Sequence, residues 1–151
     1  MTTETLSEIQ VSYKPGLASS TTTITNSQNA YEIFKSLFAA ETISLQEQFI
    51  VLYLNRANRV IGSYQLSKGG IAGTIADVRL ILSVALKTLA TGLILAHNHP
   101  SGNLKPSEAD KQITNKIRQA AKLLDIELID HLILSVEGYY SFMDDGKLRD
   151  F

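Results

Sequence analysis

The chain has 151 residues, 44% of them hydrophobic and 19% charged, a composition that excludes a disordered protein and suits one domain burying about 68–70% of its unfolded surface. A net charge of −1 gives no electrostatic footprint for non-specific nucleic-acid binding. Cysteine is absent, which excludes disulfides and thiolate zinc sites, removes the Pro-Cys-x-x-Cys half of the zinc nucleobase deaminases, and is compatible with a cytoplasmic location.

Met1 to Asn26 is rich in Thr and Ser (Ser19-Ser20-Thr21-Thr22-Thr23), with one strand-like piece at Ile9 to Lys14. It lacks the charged start and apolar core of a signal peptide, so 1–26 is expected to be a partly flexible arm ahead of a domain at 27–151. Ser27 is expected to cap a helix through about Phe38, with Ala30, Ile33, Phe34, Leu37 and Phe38 spaced for burial. Gln48 to Leu54 has the apolar, β-forming composition of a central strand. Asn55 to Asn58 turns it into a second strand, Val60 to Leu66, and the two predict a hairpin. Lys68-Gly69-Gly70 and Gly73 are turn residues on this reading, because no Gly-x-Gly-x-x-Gly or Walker arrangement surrounds them. Asp77 begins a helix through about Leu89 that is apolar on nearly every face and therefore expected to be buried. Arg79 and Lys87 interrupt it short of the roughly 18 apolar residues of a membrane span, so no membrane segment is expected.

Leu93-Ile94-Leu95-Ala96 predicts a buried strand, and a helix from Glu108 to Leu124 follows, with Ala109, Ile113, Ile117, Ala120, Ala121 and Leu124 inward. Lys105, Lys111, Lys116, Arg118 and Lys122 on or near that helix are expected to form a solvated face. A strand from about Glu127 to Ser135 carries His131, taken as a core or hydrogen-bonding histidine. A turn at Glu137-Gly138, a last strand at Tyr139 to Met143 and an exposed turn at Asp144-Asp145-Gly146 complete the chain. Hairpin strands with helices on both sides predict an α/β domain with a mixed sheet flanked by helices.

Chemistry concentrates between the central strand and the helix at Glu108, in His97-Asn98-His99-Pro100-Ser101-Gly102-Asn103-Leu104-Lys105-Pro106-Ser107-Glu108-Ala109-Asp110. Side chains at i and i+2 of an extended segment share a side, so His97 and His99 can aim at one point while Asn98 faces away. Asp110 lies eleven residues on, far enough for the Pro/Gly/Ser-rich loop to return its carboxylate to that point. Two imidazoles and a carboxylate make three ligands for a borderline divalent metal, zinc first among them, with a fourth position for water. The competing reading is a capping box in which Ser107 and Asp110 satisfy backbone N–H groups at a helix start. On the residues alone, Glu47 is one of several acidic candidates for an acid/base partner, beside Glu32, Glu41 and Glu108.

The pattern His97-x-His99-x7-Ser107-x2-Asp110 resembles the JAMM metal-binding motif of the JAB/MPN+ metalloprotease superfamily. The longer string Ala96 to Gly102, with Pro106-Ser107-x2-Asp110, resembles its RadC branch. Glu47 to Leu52 and Leu123 to His131 resemble the family's flanking segments, and the likeness covers about Thr42 to Phe142. It departs where that branch usually shows a Pro-Arg-Glu-like element: here Asp77-Val78-Arg79-Leu80 keeps only the arginine. The resemblance implies a JAB/MPN, cytidine-deaminase-like architecture and one zinc held by His97, His99 and Asp110. It implies Glu47 as general acid/base and Ser107 as the group stabilising the oxyanion of a peptide or isopeptide bond under hydrolysis. The substrate is unspecified, since nothing in the chain resembles the insertions by which ubiquitin-cleaving relatives hold theirs. The alternative is a non-catalytic metal-containing module associated with DNA repair or recombination. Direct nucleic-acid binding is weakly supported, because the charge balance opposes it and 151 residues leave no room for the helix-hairpin-helix segment that often precedes this domain.

Overall fold

The computed structural model describes residues 6–14, 22–68 and 76–148. Three helices, α1 (Ser27–Leu37), α2 (Val78–Lys87) and α3 (Glu108–Leu123), alternate with five strands, β1 (Gln48–Leu54), β2 (Val60–Lys68), β3 (Gly92–Asn98), β4 (Glu127–Ser135) and β5 (Gly138–Ser141). The strands form one mixed sheet in the order β2-β1-β3-β4-β5, with β3 and β4 parallel and the other pairs antiparallel. The expected α/β fold with a helix-flanked mixed sheet is therefore present.

The alternation of side chains along β1 and β3 divides the core in two. Phe49, Val51, Tyr53, Leu93 and Leu95 pack with Ile81, Leu82 and Ala85 of α2 and Ile117 and Ala121 of α3. Ile50, Leu52, Leu54, Ile94 and Ala96 pack on the other side with Ala30 and Phe34 of α1. Both central strands are buried along their whole length, which explains their nearly continuous apolar sequence.

Several local expectations change. Residues 6–14 form no strand, and Leu6, Ile9 and Val11 stand exposed: their alternation supplies an apolar edge, but a strand also needs a neighbouring ladder. Asn26, in extended conformation, is the cap of α1, its side chain accepting from Asn29 N, while Ser27 is the first helical residue and its buried hydroxyl meets the Tyr139 hydroxyl at 2.9 Å. β2 continues to Lys68, which had been expected in a turn, and the glycines at 69, 70 and 73 lie outside the described residues. Helix α2 is not buried all round, since Leu86 is half exposed; Ile81, Leu82 and Ala85 are buried in the cluster with β1 and β3, and Val78 and Val84 pack partly buried against it. On α3, Ala109 and Leu124 point outward, and the inner stripe runs through Thr114, Ile117 and Ala121. The last strand ends at Ser141, two residues short of the expected Met143. Among the described residues no helix is long and apolar enough to cross a membrane.

Candidate metal centre

The end of β3 brings the polar residues together. Alternation that puts Leu93 and Leu95 on the α2/α3 side puts His97 there too, buried and stacked against Phe49 with ring centroids 5.9 Å apart. His99 extends past the strand but still pairs with β4, its backbone N–H donating to Leu134 O at 2.9 Å. The chain then reverses. Gly102 N donates to His99 O at 3.0 Å, and Gly102 sits at φ +87°, where a side chain would be strained. The reversal returns the Asn103 carbonyl to within 2.6 Å of His99 Nδ1.

Helix α3 supplies the carboxylate. Ser107 is its cap, and the capping box is complete: Ser107 Oγ accepts from Asp110 N at 3.0 Å, and Asp110 Oδ2 accepts from Ser107 N at 2.8 Å. Asp110 nonetheless reaches both histidines, with Oδ1 3.2 Å from His97 Nε2 and Oδ2 3.2 Å from His99 Nε2. The two imidazole Nε2 atoms are 3.0 Å apart. Capping and clustering, which look like rival readings in the sequence, are performed by the same side chain. Glu47, just before β1, joins the histidines in a group whose ligand atoms all lie within 4.8 Å of one another and which could hold a metal ion.

Electrostatics reflect this crowding. Burial opposes ionisation of Asp110, but the His97 and His99 imidazoles beside it and the Ser107 N–H together outweigh it and hold its carboxyl far below the ordinary range. The hydrogen bond to Asp110 raises the His99 pKa against the opposing effect of burial. The Asn103 carbonyl can only accept, so His99 Nδ1 carries a proton and the neutral ring turns its Nε2 lone pair to the cluster. Two ring nitrogens and a carboxylate at 3.0–3.2 Å repel one another unless a proton or a cation lies among them. The 3.0 Å between the two Nε2 atoms is close to the roughly 3.3 Å expected between two ligand atoms on a tetrahedral ion with bonds of about 2.0–2.1 Å. The donor set and its spacing fit a borderline divalent metal.

A family model for the RadC-like JAB domain matches residues 24–147. The chain belongs to that family. A UPF0758 protein of Flavobacterium johnsoniae is 54% identical to it over 123 residues, which is 82% of this chain and 52% of the relative. A UPF0758 protein of Porphyromonas gingivalis is 46% identical over 126 residues, covering 83% of this chain and 54% of the relative, and one of Streptococcus gordonii is 41% identical over 103 residues, covering 68% and 46%. The chain spans about half the length of these curated relatives.

Within this RadC-like JAB domain the structure gathers all five residues singled out in the sequence: Glu47, His97 and His99 in one group, Asp110 against both histidines, and Ser107 bonded to Asp110. Three further residues join the site, among them His131, which is the buried, hydrogen-bonding histidine expected from the sequence. Asn98 faces away from the histidines, as expected, and grips the segment bearing Glu47: its Oδ1 accepts from Gln48 N at 2.7 Å, and its Nδ2 donates to Ile43 O and Gln46 O at 2.8 and 2.9 Å. The residues on both sides of Glu47 are thus tied to the strand residue between the two histidines. His131, fully buried, meets His97 Nδ1 through its Nε2 at 2.8 Å, and Thr114 Oγ1 stands 2.6 Å from His131 Nδ1. The available signals were parity, which puts Asn98 opposite the histidines, and the i+4 step from Asp110 to Thr114 on one helix face.

Proposed function

We propose that this domain is a zinc-dependent hydrolase of amide bonds, peptide or isopeptide, with one zinc per chain held by His97, His99 and Asp110. The observation that carries the reading is the meeting of three ligand-type side chains within 3.0–3.2 Å, with the Glu47 carboxylate beside the two histidines. Zinc bound there would supply Lewis acidity, lowering the pKa of a coordinated water from about 15.7 to about 7. Glu47 is the general acid/base: it accepts a proton from the attacking water and delivers it to the leaving amine. Asn98 holds the backbone on either side of that carboxylate, which limits its wandering. Ser107 Oγ accepts the Asp110 N–H, a bond that uses a lone pair and leaves the hydroxyl proton to donate to a developing oxyanion. Family membership supports the reading, because the JAMM motif it resembles is a metalloprotease motif.

The test combines elemental analysis of protein purified without added metal or an affinity tag with a screen of peptide and isopeptide substrates. The expected result is about one zinc per chain and cleavage that Glu47→Gln abolishes while retaining the metal. Absence of zinc even after it is added back overturns the hydrolase. Bound zinc with no cleavage of any screened substrate, or cleavage unaffected by Glu47→Gln, favours a non-catalytic metal-containing module.

A further inference from the structure

The hydrogen bonds behind His97 have only one self-consistent direction. Thr114 Oγ1 lies 2.6 Å from the Asp110 backbone oxygen, and a carbonyl cannot donate, so the single hydroxyl proton of Thr114 goes there. The same Oγ1 is 2.6 Å from His131 Nδ1 and can then only accept, which places the proton of neutral His131 on Nδ1. His131 Nε2 is left with a lone pair 2.8 Å from His97 Nδ1, so His97 must donate from Nδ1. Its remaining nitrogen, Nε2, therefore presents a lone pair to His99 and Asp110.

We infer that Thr114 and His131 are positioning residues that lock His97 in the Nδ1–H tautomer, the form whose Nε2 can ligate a metal. The relay runs from β3 through β4 to α3 and ends on the backbone of Asp110, whose side chain faces the same cluster. It thereby fixes the orientation of one histidine and its distance from the helix that carries the carboxylate. His131 is clamped for this task between Phe49 and Phe142, with ring centroids at 5.6 and 5.0 Å. The partner of a ligating histidine is commonly a carboxylate or a backbone carbonyl. Here the carbonyl is reached through a neutral histidine and a hydroxyl, which adds no further negative charge around the metal.

The inference rests on the metal-binding reading for its use but not for its test. Long-range proton–nitrogen NMR of the ring nitrogens in the metal-free chain, at a pH above the titration of His99, reports the tautomer of His97 directly. Nδ1–H is expected, and Nε2–H overturns the proposal whether or not the protein binds zinc. Competition with a chromophoric chelator then measures zinc affinity in wild type, Thr114→Val and Thr114→Ser. Valine keeps the shape but cannot accept from His131, and it should weaken zinc binding by about 10–100-fold, while serine restores it. Equal affinity of the valine variant and the wild type overturns the proposal. A wild type that binds no zinc sinks the hydrolase instead, and the tautomer spectrum still decides the relay.

Discussion

Two helix–strand units of this domain, α2 with β3 and α3 with β4, close in the same way and open differently. At the close of each helix a residue adopts φ near +57° (Leu89 at 56°, Asp125 at 57°), and the next N–H reaches back five residues: Ala90 to Ala85 O and Ile126 to Ala121 O, each 2.9 Å. These paired Schellman turns launch parallel strands in matching register, Gly92 beside Glu127. The openings diverge. Asp77 Oδ1 takes the N–H groups of Arg79 and Leu80 at 2.9 and 3.2 Å, so that carboxylate serves its own helix. At α3 the capping is shared between Ser107 and Asp110, and the sharing leaves Asp110 enough acceptor capacity to face two imidazoles. A carboxylate that faces the cluster here still accepts an N–H that the start of the helix would otherwise leave unpaired.

Exchanging one atom at each opening gives the largest contrast. Asp110→Asn keeps an oxygen for Ser107 N but removes the charge from the cluster; zinc content by elemental analysis is expected to fall from about one per chain to near zero. Urea unfolding of the metal-free variant above the titration of His99, where no imidazolium faces residue 110, should show a loss below about 1 kcal/mol, the scale of a charge at a helix start. Asp77→Asn should change stability by a similar amount and leave zinc untouched. If both variants keep their zinc, Asp110 is a cap alone and the two openings are equivalent.

The next effect is read in pH. The folded-state pKa of His99 is raised, chiefly by its hydrogen bond to Asp110. The stability this confers on the metal-free protein is complete below the unfolded value of about 6.5 and is lost as pH rises through the higher folded value. Denaturation midpoints of metal-free protein should therefore fall from about pH 6.5 upward. Saturating zinc should remove that decline, because the metal takes the place of the proton on Nε2. Asp77→Asn should preserve the decline and Asp110→Asn should flatten it.

How much of this was legible in the sequence follows from the range of the interactions. The central strands announced themselves because burial on both faces demands continuous apolar sequence, and the His97-x-His99 spacing fixed a shared side because strands alternate. Asp110 was ambiguous for a physical reason: the carboxylate that completes the capping box also reaches the histidines, so the cap is formed without excluding the cluster. The partners of His131 stayed hidden, since Thr114 and His97 meet it only where β4 lies against β3 and α3 packs on β4, contacts between residues 17 and 34 positions apart. The outward turn of Leu86 was equally invisible, because an apolar side chain carries no mark of whether a neighbour covers it.

The smallest contrast concerns the closings, where the two units match in geometry but not in residue. Leu89 occupies the left-handed position and is 83% exposed, so it bears the steric cost of a Cβ there and recovers little by packing. That cost is about 1–2 kcal/mol. Glycine relieves it while making the unfolded chain more flexible, which costs about 0.4–1 kcal/mol. The balance favours Leu89→Gly, with an expected gain of roughly 0.5–1 kcal/mol in urea unfolding and no change in zinc content. Asp125 holds the same conformation, but aspartate tolerates it far better than leucine, so Asp125→Gly should gain less or lose slightly. Equal gains at both sites would mean that side-chain type is irrelevant at this turn. A loss at Leu89 alone would mean that this exposed leucine is covered by something in solution.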